Sequence, residues 1–273
     1  MAGPDRVRRH FGDVDRAPDP TKVVGYLDAA SGLGNIQRLK RTTYEFLGPV
    51  PGQVLLDVGC GVGDDVRALA GIVAPTGRAV GLDFSRSLVA EVHTRSRGGQ
   101  GRTEFTRGDS CHLPFPDNAF DGVRSERMLQ HLREPRRAVG EMARVVKSGG
   151  RVVDFDPDWD MMAIDATDLE LTRRIVHART DGLMNGSVGR QLFAMFRDGG
   201  LVDVSVVPMA TMVPSFAIAN SMLELEATVE RARATGAIAA ADAAAWLSEM
   251  RERDASGRFF CGLTGYLAHG RKP

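Results

Sequence analysis

Cysteine is scarce in this sequence, with three among 273 residues, and the three form no recognisable pattern. Cys60, Cys111 and Cys261 lie far apart and have none of the short spacings that hold a zinc ion. Dispersed cysteines in an odd number exclude a disulfide framework and are typical of a reducing compartment. We therefore expect a cytoplasmic protein with no metal site.

Long apolar runs are also missing. No stretch approaches the roughly 20 apolar residues that a membrane-spanning helix needs. The opening residues MAGPDRVRRHFGDVDRAPDP contain no apolar core of the kind found in secretory signals. Hydrophobic residues make up 43% of the chain and charged residues 26%, which is ordinary for a globular protein. The sequence predicts no membrane span, and its length suits either one large domain or a domain with an appendage.

A net charge of either sign is absent, because 35 lysines and arginines balance 35 aspartates and glutamates. A nucleic-acid-binding protein typically carries a basic excess or a basic stripe. The basic residues that do cluster are Arg6, Arg8 and Arg9, and then Arg133, Arg136 and Arg137. We interpret both groups as solvated faces. We expect the partner to be a small molecule rather than a nucleic acid. The protein is expected to be a monomer or a homodimer.

Short apolar runs alternate with helical patterns along the chain. The runs that predict strands are residues 54–58, 79–82, 103–106, 120–123, 151–155 and 202–207, with a closing strand within 258–273. Strands separated by helices favour βαβ units. The fold class predicted is α/β, with a mainly parallel sheet and helices on both of its faces.

The loop after the first predicted strand, VGCGVGDD at 58–65, carries glycines at alternate positions. A dinucleotide-binding loop has the spacing G-x-G-x-x-G and places a pyrophosphate at the following helix N-terminus. Here the glycines are Gly59, Gly61 and Gly63, and Asp64 and Asp65 follow them. Two carboxylates would repel a diphosphate at that position. A ligand with a cationic centre and no phosphate fits this loop better.

Acidic residues also follow the next two predicted strands. Asp83 ends the second strand, where its carboxylate can accept both ribose hydroxyls, or can instead cap the next helix. Phe84 offers an apolar surface for a purine. Asp109 and Ser110 follow the third strand, where Asp109 can accept from an adenine amine or act as an ordinary turn residue. The carboxyl edge of parallel strands is where open α/β sheets bind ligands.

Five segments of the chain carry a family resemblance: LLDVGCGVGDD, GLDFS, GDSCHLPFPDNAFDGV, MLQHL and EMARVVKSGGRVVDFDP. In these segments the chain resembles class I S-adenosylmethionine-dependent methyltransferases. The branch it resembles contains ubiquinone/menaquinone-biosynthesis and natural-product methyltransferases, over about residues 53–157. The resemblance implies a Rossmann-like three-layer sandwich with a seven-stranded, mainly parallel sheet whose last strand is antiparallel. It implies S-adenosyl-L-methionine as cofactor and S-adenosyl-L-homocysteine as product. The cofactor-binding residues are then Asp57, Gly59, Cys60, Gly61, Asp83, Phe84, Asp109, Ser110 and Ser125.

Two residues are candidates for catalysis. Methyl transfer from a sulfonium mainly needs in-line positioning, and a hydroxyl acceptor would also need a general base. His131, in MLQHL, is the first candidate, and the alternative interpretation is a packed helix histidine. The family often has a His-His pair here, but Gln130 replaces its first member. Asp156, at the end of the fifth strand, is the second candidate.

Two helical segments, at about 215–234 and 239–253, interrupt the last two predicted strands. We interpret residues 214–254 as a helical lid, 51–213 and 255–273 as the methyltransferase domain, and 1–50 as an N-terminal helical segment over the cofactor, broken near 32–34. The expected substrate pocket is rich in adaptable apolar volume, although such residues can equally fill a core. Its residues are Arg127, Trp159, Met162, Phe216 and Met222.

The sequence therefore predicts a methyltransferase that modifies a small-molecule acceptor in secondary metabolism. The alternatives are a non-methylating cyclase on the same fold and a protein that binds the cofactor without turnover.

Overall fold

The structure is a computed structural model that describes residues 14–16, 19–95 and 101–273. The N-terminal arginines Arg6, Arg8 and Arg9 lie outside the described residues. Within those residues, one mixed sheet contains eight strands, β1 (Val54–Val58), β2 (Arg78–Asp83), β3 (Arg102–Arg107), β4 (Phe120–Glu126), β5 (Val146–Pro157), β6 (Ala163–Ile164), β7 (Val202–Val213) and β8 (Cys261–Arg271).

The strand order across the sheet is β3-β2-β1-β4-β5-β8, and β7 lies on the outer side of β8. Strands β1 to β5 are mutually parallel, whereas β8 is antiparallel to both β5 and β7. The prediction of a mainly parallel sheet with an antiparallel last strand is confirmed. The sheet has one strand more than expected, since β6 pairs with the first two residues of β8. A strand of two residues has no periodic pattern that could have predicted it.

Helices cover both faces of the sheet. Their bounds are α1 (Pro20–Ser31), α2 (Gly34–Leu47), α3 (Asp64–Val73), α4 (Arg86–Arg95), α5 (Pro135–Val145), α6 (Leu169–Asp181), α7 (Leu192–Asp198), α8 (Phe216–Leu223), α9 (Leu225–Ala234) and α10 (Ala240–Ala255). None of the described helices combines the length and the apolar character required to cross a bilayer.

The two faces of the sheet have separate apolar cores, because each parallel strand turns alternate apolar residues to opposite sides. On one face, Leu39 of α2 and Leu69 of α3 pack on Leu55 of β1. On the other face, Val139 of α5 and Phe196 of α7 pack in a core that contains the alternate residue Leu56 of β1. The sheet and its two helical layers form the three-layer sandwich expected from the sequence.

The helical segment near the C-terminus has a third core of its own. The end of β7 and the start of β8 extend beyond their neighbour β5. There α6, α8, α9 and α10 pack around buried Trp246 and Met250. The sequence predicted one helix over 215–234, but Glu224 has a φ of 50° and separates α8 from α9. We call α6, α8, α9 and α10 the lid helices; α8 to α10 lie within the predicted lid at 214–254, whose closure over an acceptor stays a prediction, and α6 packs with them.

Candidate active site

The loop between β1 and α3 is held against the end of β2. The N–H groups of Gly59 and Cys60 both donate to the carbonyl of Leu82, at 2.8 and 3.0 Å. Gly59 and Gly61 have φ angles of 76° and 54°, a left-handed conformation that glycine adopts without strain. A Cβ at Gly59 would also lie 2.6 Å from Cγ of Met128. We call residues 59–63 the glycine turn.

The side chain of Cys60 fills a small space behind this turn. A Cβ at Gly81 of β2 would lie 2.8 Å from the Cys60 Sγ, so the two residues fit only because Gly81 has no side chain. Burial raises the pKa of the Cys60 thiol, which keeps it protonated and unreactive. Cys60 therefore contributes its backbone and its small volume to the site.

Asp83, the last residue of β2, connects the loops that follow three neighbouring strands. Its Oδ2 accepts from the N–H of Gly61 at 2.9 Å, and its Oδ1 accepts from the N–H of Ser85 at 2.9 Å. Its carbonyl accepts from the N–H of Gly108, after β3, at 3.0 Å. Burial raises the pKa of this carboxyl group, against the opposite effect of the backbone donors. Phe84, beside it, is 60% exposed and presents an apolar surface.

The loop after β3 carries the expected adenine acid. Asp109 Oδ1 accepts from the N–H of Cys111 at 2.8 Å, and its Oδ2 lies 3.1 Å from Nδ1 of His112. Although burial raises the pKa of Asp109, these two partners bring it below its ordinary value. The carboxylate remains half-exposed, so it can still accept from a ligand, whereas Ser110 is buried.

Ser125 of β4 lies on the other side of the sheet. Its side chain is fully buried, and its hydroxyl donates to Oδ1 of Asp154 and lies 3.7 Å from Sδ of Met142 in α5. The structure does not bring the Ser125 hydroxyl together with the other expected cofactor-binding groups.

A cavity of about 60 Å³ opens beside the glycine turn, which is room for a small polar group and not for a whole nucleoside. We call it the charged chamber. Apart from the glycine turn, it is lined by Leu27, Ser31, Lys40, Asp57, Asp64, Asp65, Arg124, Glu126 and Arg127.

Arg124 of β4 is the centre of the charged chamber and is 1% exposed. Its Nη1 donates to Oδ1 of Asp57 at 2.8 Å and lies 3.4 Å from Oδ2 of Asp65. Its Nη2 donates to Oε2 of Glu126 at 2.7 Å. A buried guanidinium is tolerated because carboxylates surround it, and removal of one partner would leave an uncompensated buried charge.

Two residues of α2 complete this network. The Lys40 ammonium and the Tyr44 hydroxyl both donate to the carboxylate of Asp65. Although burial raises the pKa of Asp65, Arg124 and Lys40 hold it well below its usual range. Asp64 is paired with Arg67. Both aspartates that follow the glycine turn are thus neutralised by neighbours, and their repulsion of a phosphate is smaller than the sequence suggested.

Asp57, the expected acid of β1, faces the chamber at 3% exposure. Burial raises the pKa of this carboxyl group to about 7, and Arg124 opposes that rise. A nearby ligand cation would favour the ionised form of Asp57.

The N-terminal segment lies against the same loops. Asp15 accepts from the Ser85 hydroxyl at 2.8 Å and from the N–H groups of Arg86 and Ser87 at 2.9 and 3.0 Å, at the start of α4. Ser31 of α1 donates to Oδ2 of Asp64 at 3.0 Å. Ser31, together with Leu27, makes α1 part of the lining of the charged chamber.

The two catalytic candidates lie at one turn. Residues Leu129–His131 form a 3-10 helix after β4, and His131 is half-buried at its end. Asp156 is fully buried, and its carboxylate accepts from the N–H groups of Leu129 and Gln130 at 2.9 and 3.3 Å. Burial, with Asp154 nearby, raises the pKa of Asp156. This geometry favours a bracing role for Asp156 over the proton-accepting role expected from the sequence.

The expected pocket residues are divided between two places. Arg127 lines the charged chamber. Trp159, Met162 and Phe216 are at most 8% exposed and pack in the core of the lid helices, which is the alternative that the sequence left open. Met222 is half-buried against that core, and its carbonyl lies 3.5 Å from the Tyr26 hydroxyl of α1. The lid helices and α1 therefore meet at Met222.

Sequence reasoning missed three charged members of the chamber, Lys40, Arg124 and Glu126, and also Leu27 and Ser31 of α1. One signal was available, because Arg124 is a charge within the apolar run of a parallel strand, where both faces are buried. Among the described residues, no three His, Cys, Asp or Glu side chains are arranged to hold a metal ion.

Comparison with known proteins is consistent with this geometry. A family model described as a methyltransferase domain matches residues 56–154. An uncharacterised 37.1 kDa protein of transposon TN4556 from Streptomyces fradiae is 35% identical over 245 residues, which cover 89% of this chain and 70% of that protein. A demethylmenaquinone methyltransferase from Clavibacter sepedonicus is 35% identical over 150 residues, which cover 55% of this chain and 57% of the relative.

Solved structures share the fold. The YcgJ protein from Bacillus subtilis has a TM-score of 0.59 at 20% identity, with 86% of this chain and 98% of that chain covered. The 4+2 cyclase SpnF has a TM-score of 0.56 at 22% identity, with 92% and 93% covered. Residues 56–154 match the methyltransferase domain, and with the related sequences and the shared fold this supports a class I S-adenosylmethionine-dependent methyltransferase domain in this part of the chain. Its cofactor is S-adenosylmethionine.

The residues at the sheet edge fit this cofactor. Asp83 is fixed at the end of β2 and is half-buried beside exposed Phe84, which suits a ribose acceptor next to a purine surface. The glycine turn brings bare backbone to the edge of the charged chamber. The chamber contains both cations and carboxylates, which suits the zwitterionic amino-acid end of the cofactor.

Proposed function

We propose that this protein transfers a methyl group from S-adenosylmethionine to a small-molecule acceptor in secondary metabolism. The observation that carries the proposal is the position of Asp83 at the sheet edge. It accepts hydrogen bonds both from the glycine turn and from the loop after β3. The relative named demethylmenaquinone methyltransferase supports a small-molecule acceptor. A role in secondary metabolism rests on the resemblance to natural-product methyltransferases.

Each residue of the sheet edge then has a role in binding. Asp83 accepts from the ribose hydroxyls, Phe84 contacts the purine, and Asp109 accepts from the adenine amine. Asp57 holds the cationic amino group within the charged chamber. When bound, the cofactor supplies an electrophilic methyl group on its sulfonium.

The rest of the chain orients the acceptor and excludes water. The described part of the N-terminal segment, α1 and α2, covers the cofactor, and the lid at 214–254 closes over the acceptor. The two meet where the Tyr26 hydroxyl contacts the Met222 carbonyl. For a hydroxyl acceptor, His131 is the residue that accepts its proton, and Asp156 positions the turn that carries His131.

Two measurements test the proposal. Calorimetric titration should show that S-adenosylhomocysteine binds the purified protein. Absence of binding would refute the proposed use of this cofactor and with it the proposed function. Incubation with methyl-labelled S-adenosylmethionine and a metabolite pool should transfer label to a small molecule. Binding without any label transfer would favour the non-methylating cyclase or binding protein that the same fold allows.

A further inference from the structure

The side chain of His112 lies between two partners of opposite hydrogen-bonding character. Its Nδ1 is 3.1 Å from Oδ2 of Asp109, and an ionised carboxylate can only accept a hydrogen bond. Its Nε2 is hydrogen-bonded to Nη2 of Arg137, and a guanidinium group can only donate. A neutral imidazole has one nitrogen that donates and one that accepts, so these partners place the proton on Nδ1. His112 therefore donates to Asp109 and accepts from Arg137.

Helix α5 holds the loop that contains His112. Arg137, in the first turn of α5, also donates from its Nε to the carbonyl of Cys111 at 3.0 Å. The N–H of His112 donates to the carbonyl of Asp109 at 3.0 Å and closes the turn between these two residues. The imidazole is 59% exposed, so these hydrogen bonds decide its position more than packing does.

The carboxylate of Asp109 is the group that this arrangement orients. Its Oδ1 accepts from the N–H of Cys111 at 2.8 Å, and its Oδ2 accepts from His112, so both oxygens are held. Each oxygen keeps a further lone pair, and the side chain is 48% exposed. A carboxylate held in this way can accept from a ligand without first losing its rotational freedom, which favours binding.

We propose that His112 is a positioning residue for adenine recognition. Arg137 holds the imidazole in the Nδ1–H tautomer, and the imidazole holds the Asp109 carboxylate in the orientation that accepts from the adenine amine. The tautomer of a histidine is set by the partner of its second ring nitrogen, which is the part that Arg137 has here. The inference rests on the proposed function and deepens it, because it adds a residue of α5 to the support of the cofactor site.

The first test determines the tautomer of His112 in the full-length protein. Long-range proton–nitrogen NMR at about pH 8, where histidine is neutral, separates protonated from unprotonated ring nitrogens, and the signals of His112 are assigned by their absence from His112→Asn. The wild type should show the Nδ1–H form. Arg137→Ala should populate the Nε2–H form as well, because Nε2 is then free to donate to water. Arg136→Ala is the matched control, since Arg136 pairs with Asp198, and it should keep the wild-type tautomer.

The second test measures S-adenosylhomocysteine affinity by calorimetric titration. His112→Ala should weaken binding about threefold to tenfold, as expected for the loss of one exposed hydrogen bond. His112→Asn should recover most of the affinity, because its side-chain amide places an N–H near the position of Nδ1. His112→Gln is the matched comparison, because its longer side chain carries the N–H nearer the position of Nε2, and it should bind like His112→Ala.

S-inosylhomocysteine separates a role in adenine recognition from a general structural role. In this ligand a carbonyl oxygen replaces the adenine amine, so the group that donates to Asp109 is missing. The wild type should bind it more weakly than S-adenosylhomocysteine. His112→Ala should bind it as the wild type does, because the contact that His112 supports is already absent.

Four outcomes would overturn the inference. They are the Nε2–H tautomer in the wild type, an unchanged S-adenosylhomocysteine affinity in His112→Ala, equal affinities in His112→Asn and His112→Gln, and an equal loss of both ligands in His112→Ala. Equal affinity of the wild type for the two ligands would remove Asp109 from adenine recognition, and the inference with it. Failure of the wild type to bind S-adenosylhomocysteine is a separate result that would refute the proposed function itself.

Discussion

Replacement of Asp83 by alanine should weaken S-adenosylhomocysteine binding while the sheet stays folded. In the structure this carboxylate fixes two backbone N–H groups, of Gly61 and Ser85, each at 2.9 Å. The proposed ribose contacts are charge-assisted hydrogen bonds worth ~1.5–3 kcal/mol. Their loss corresponds to a reduction in affinity on the order of 10- to 100-fold.

The same change should also lower the stability of the protein. The N–H groups of Gly61 and Ser85 lose their acceptor, and an unsatisfied buried donor costs ~1–3 kcal/mol. Water can reach a loop at the sheet edge, so we expect a value near the lower end, measured by urea denaturation. Asp83→Asn should be intermediate, because an amide has one accepting oxygen and cannot accept with its NH2 group.

The assay is calorimetric titration with S-adenosylhomocysteine, with circular dichroism to verify the fold. Asp198→Ala is the matched control, because this carboxylate is exposed and pairs only with Arg136 among the described residues. It should bind like the wild type. A folded Asp83→Ala protein with wild-type affinity would refute the assignment of Asp83 to the ribose.

Three further predictions concern Asp57, Asp15 and Phe216. The folded-state pKa of Asp57 is about 7, above its ordinary value of 3.8, so its contribution to stability is lost as the pH rises between those values. The free energy of unfolding of Asp57→Asn should therefore increase relative to that of the wild type as the pH rises over that window, and parallel pH profiles of the two proteins would contradict this expectation. Asp15 has a pKa lowered to about 2, so its bonds at the start of α4 stabilise the fold above pH 3.8 and weaken as the pH falls towards 2. Asp15→Ala should increase proteolysis of the N-terminal segment at neutral pH, and an unchanged digestion pattern would show that the segment is held elsewhere. Phe216→Ala should destabilise the lid core by ~3–5 kcal/mol, with S-adenosylhomocysteine affinity within about threefold. A loss of S-adenosylhomocysteine affinity of more than about threefold in the folded variant would mean that the lid contributes to cofactor binding.

The carboxyl edge of β1 to β3 was predictable from sequence, for a physical reason. Parallel strands end at one edge, so the glycines and acids that follow each strand must come together there. Asp83 and Asp109 were placed by that rule alone. The break between α1 and α2 near 32–34 was predictable too, since glycines interrupt a helical pattern there.

The charged chamber was not predictable in the same way. Arg124 pairs with Asp57 and Asp65 across long separations in sequence, and no local pattern encodes such pairs. The lid is a second part of the chain in which the sequence could not decide the role of its apolar residues. Trp159 and Phe216 have the apolar character of a pocket and equally of a core. They lie in a core because α6 packs on the 3-10 helix Trp159–Met161 and α10 packs on α8.

The shared carboxylates around Arg124 constrain how this site can change over evolution or in engineering. Glu126 serves two guanidinium groups, and Asp57 and Asp65 both depend on Arg124. Replacement of Arg124 by leucine alone would leave Asp57 buried without its ion-pair partner, a change that typically costs several kcal/mol, whereas Asp65 would keep Lys40 and Glu126 would keep Arg127. A neutral version of the chamber can be reached only by concerted substitution of the arginine with its acids. Relatives and designed variants should therefore differ at these positions as a group, and acceptor specificity should evolve more readily through the lid than through Arg124.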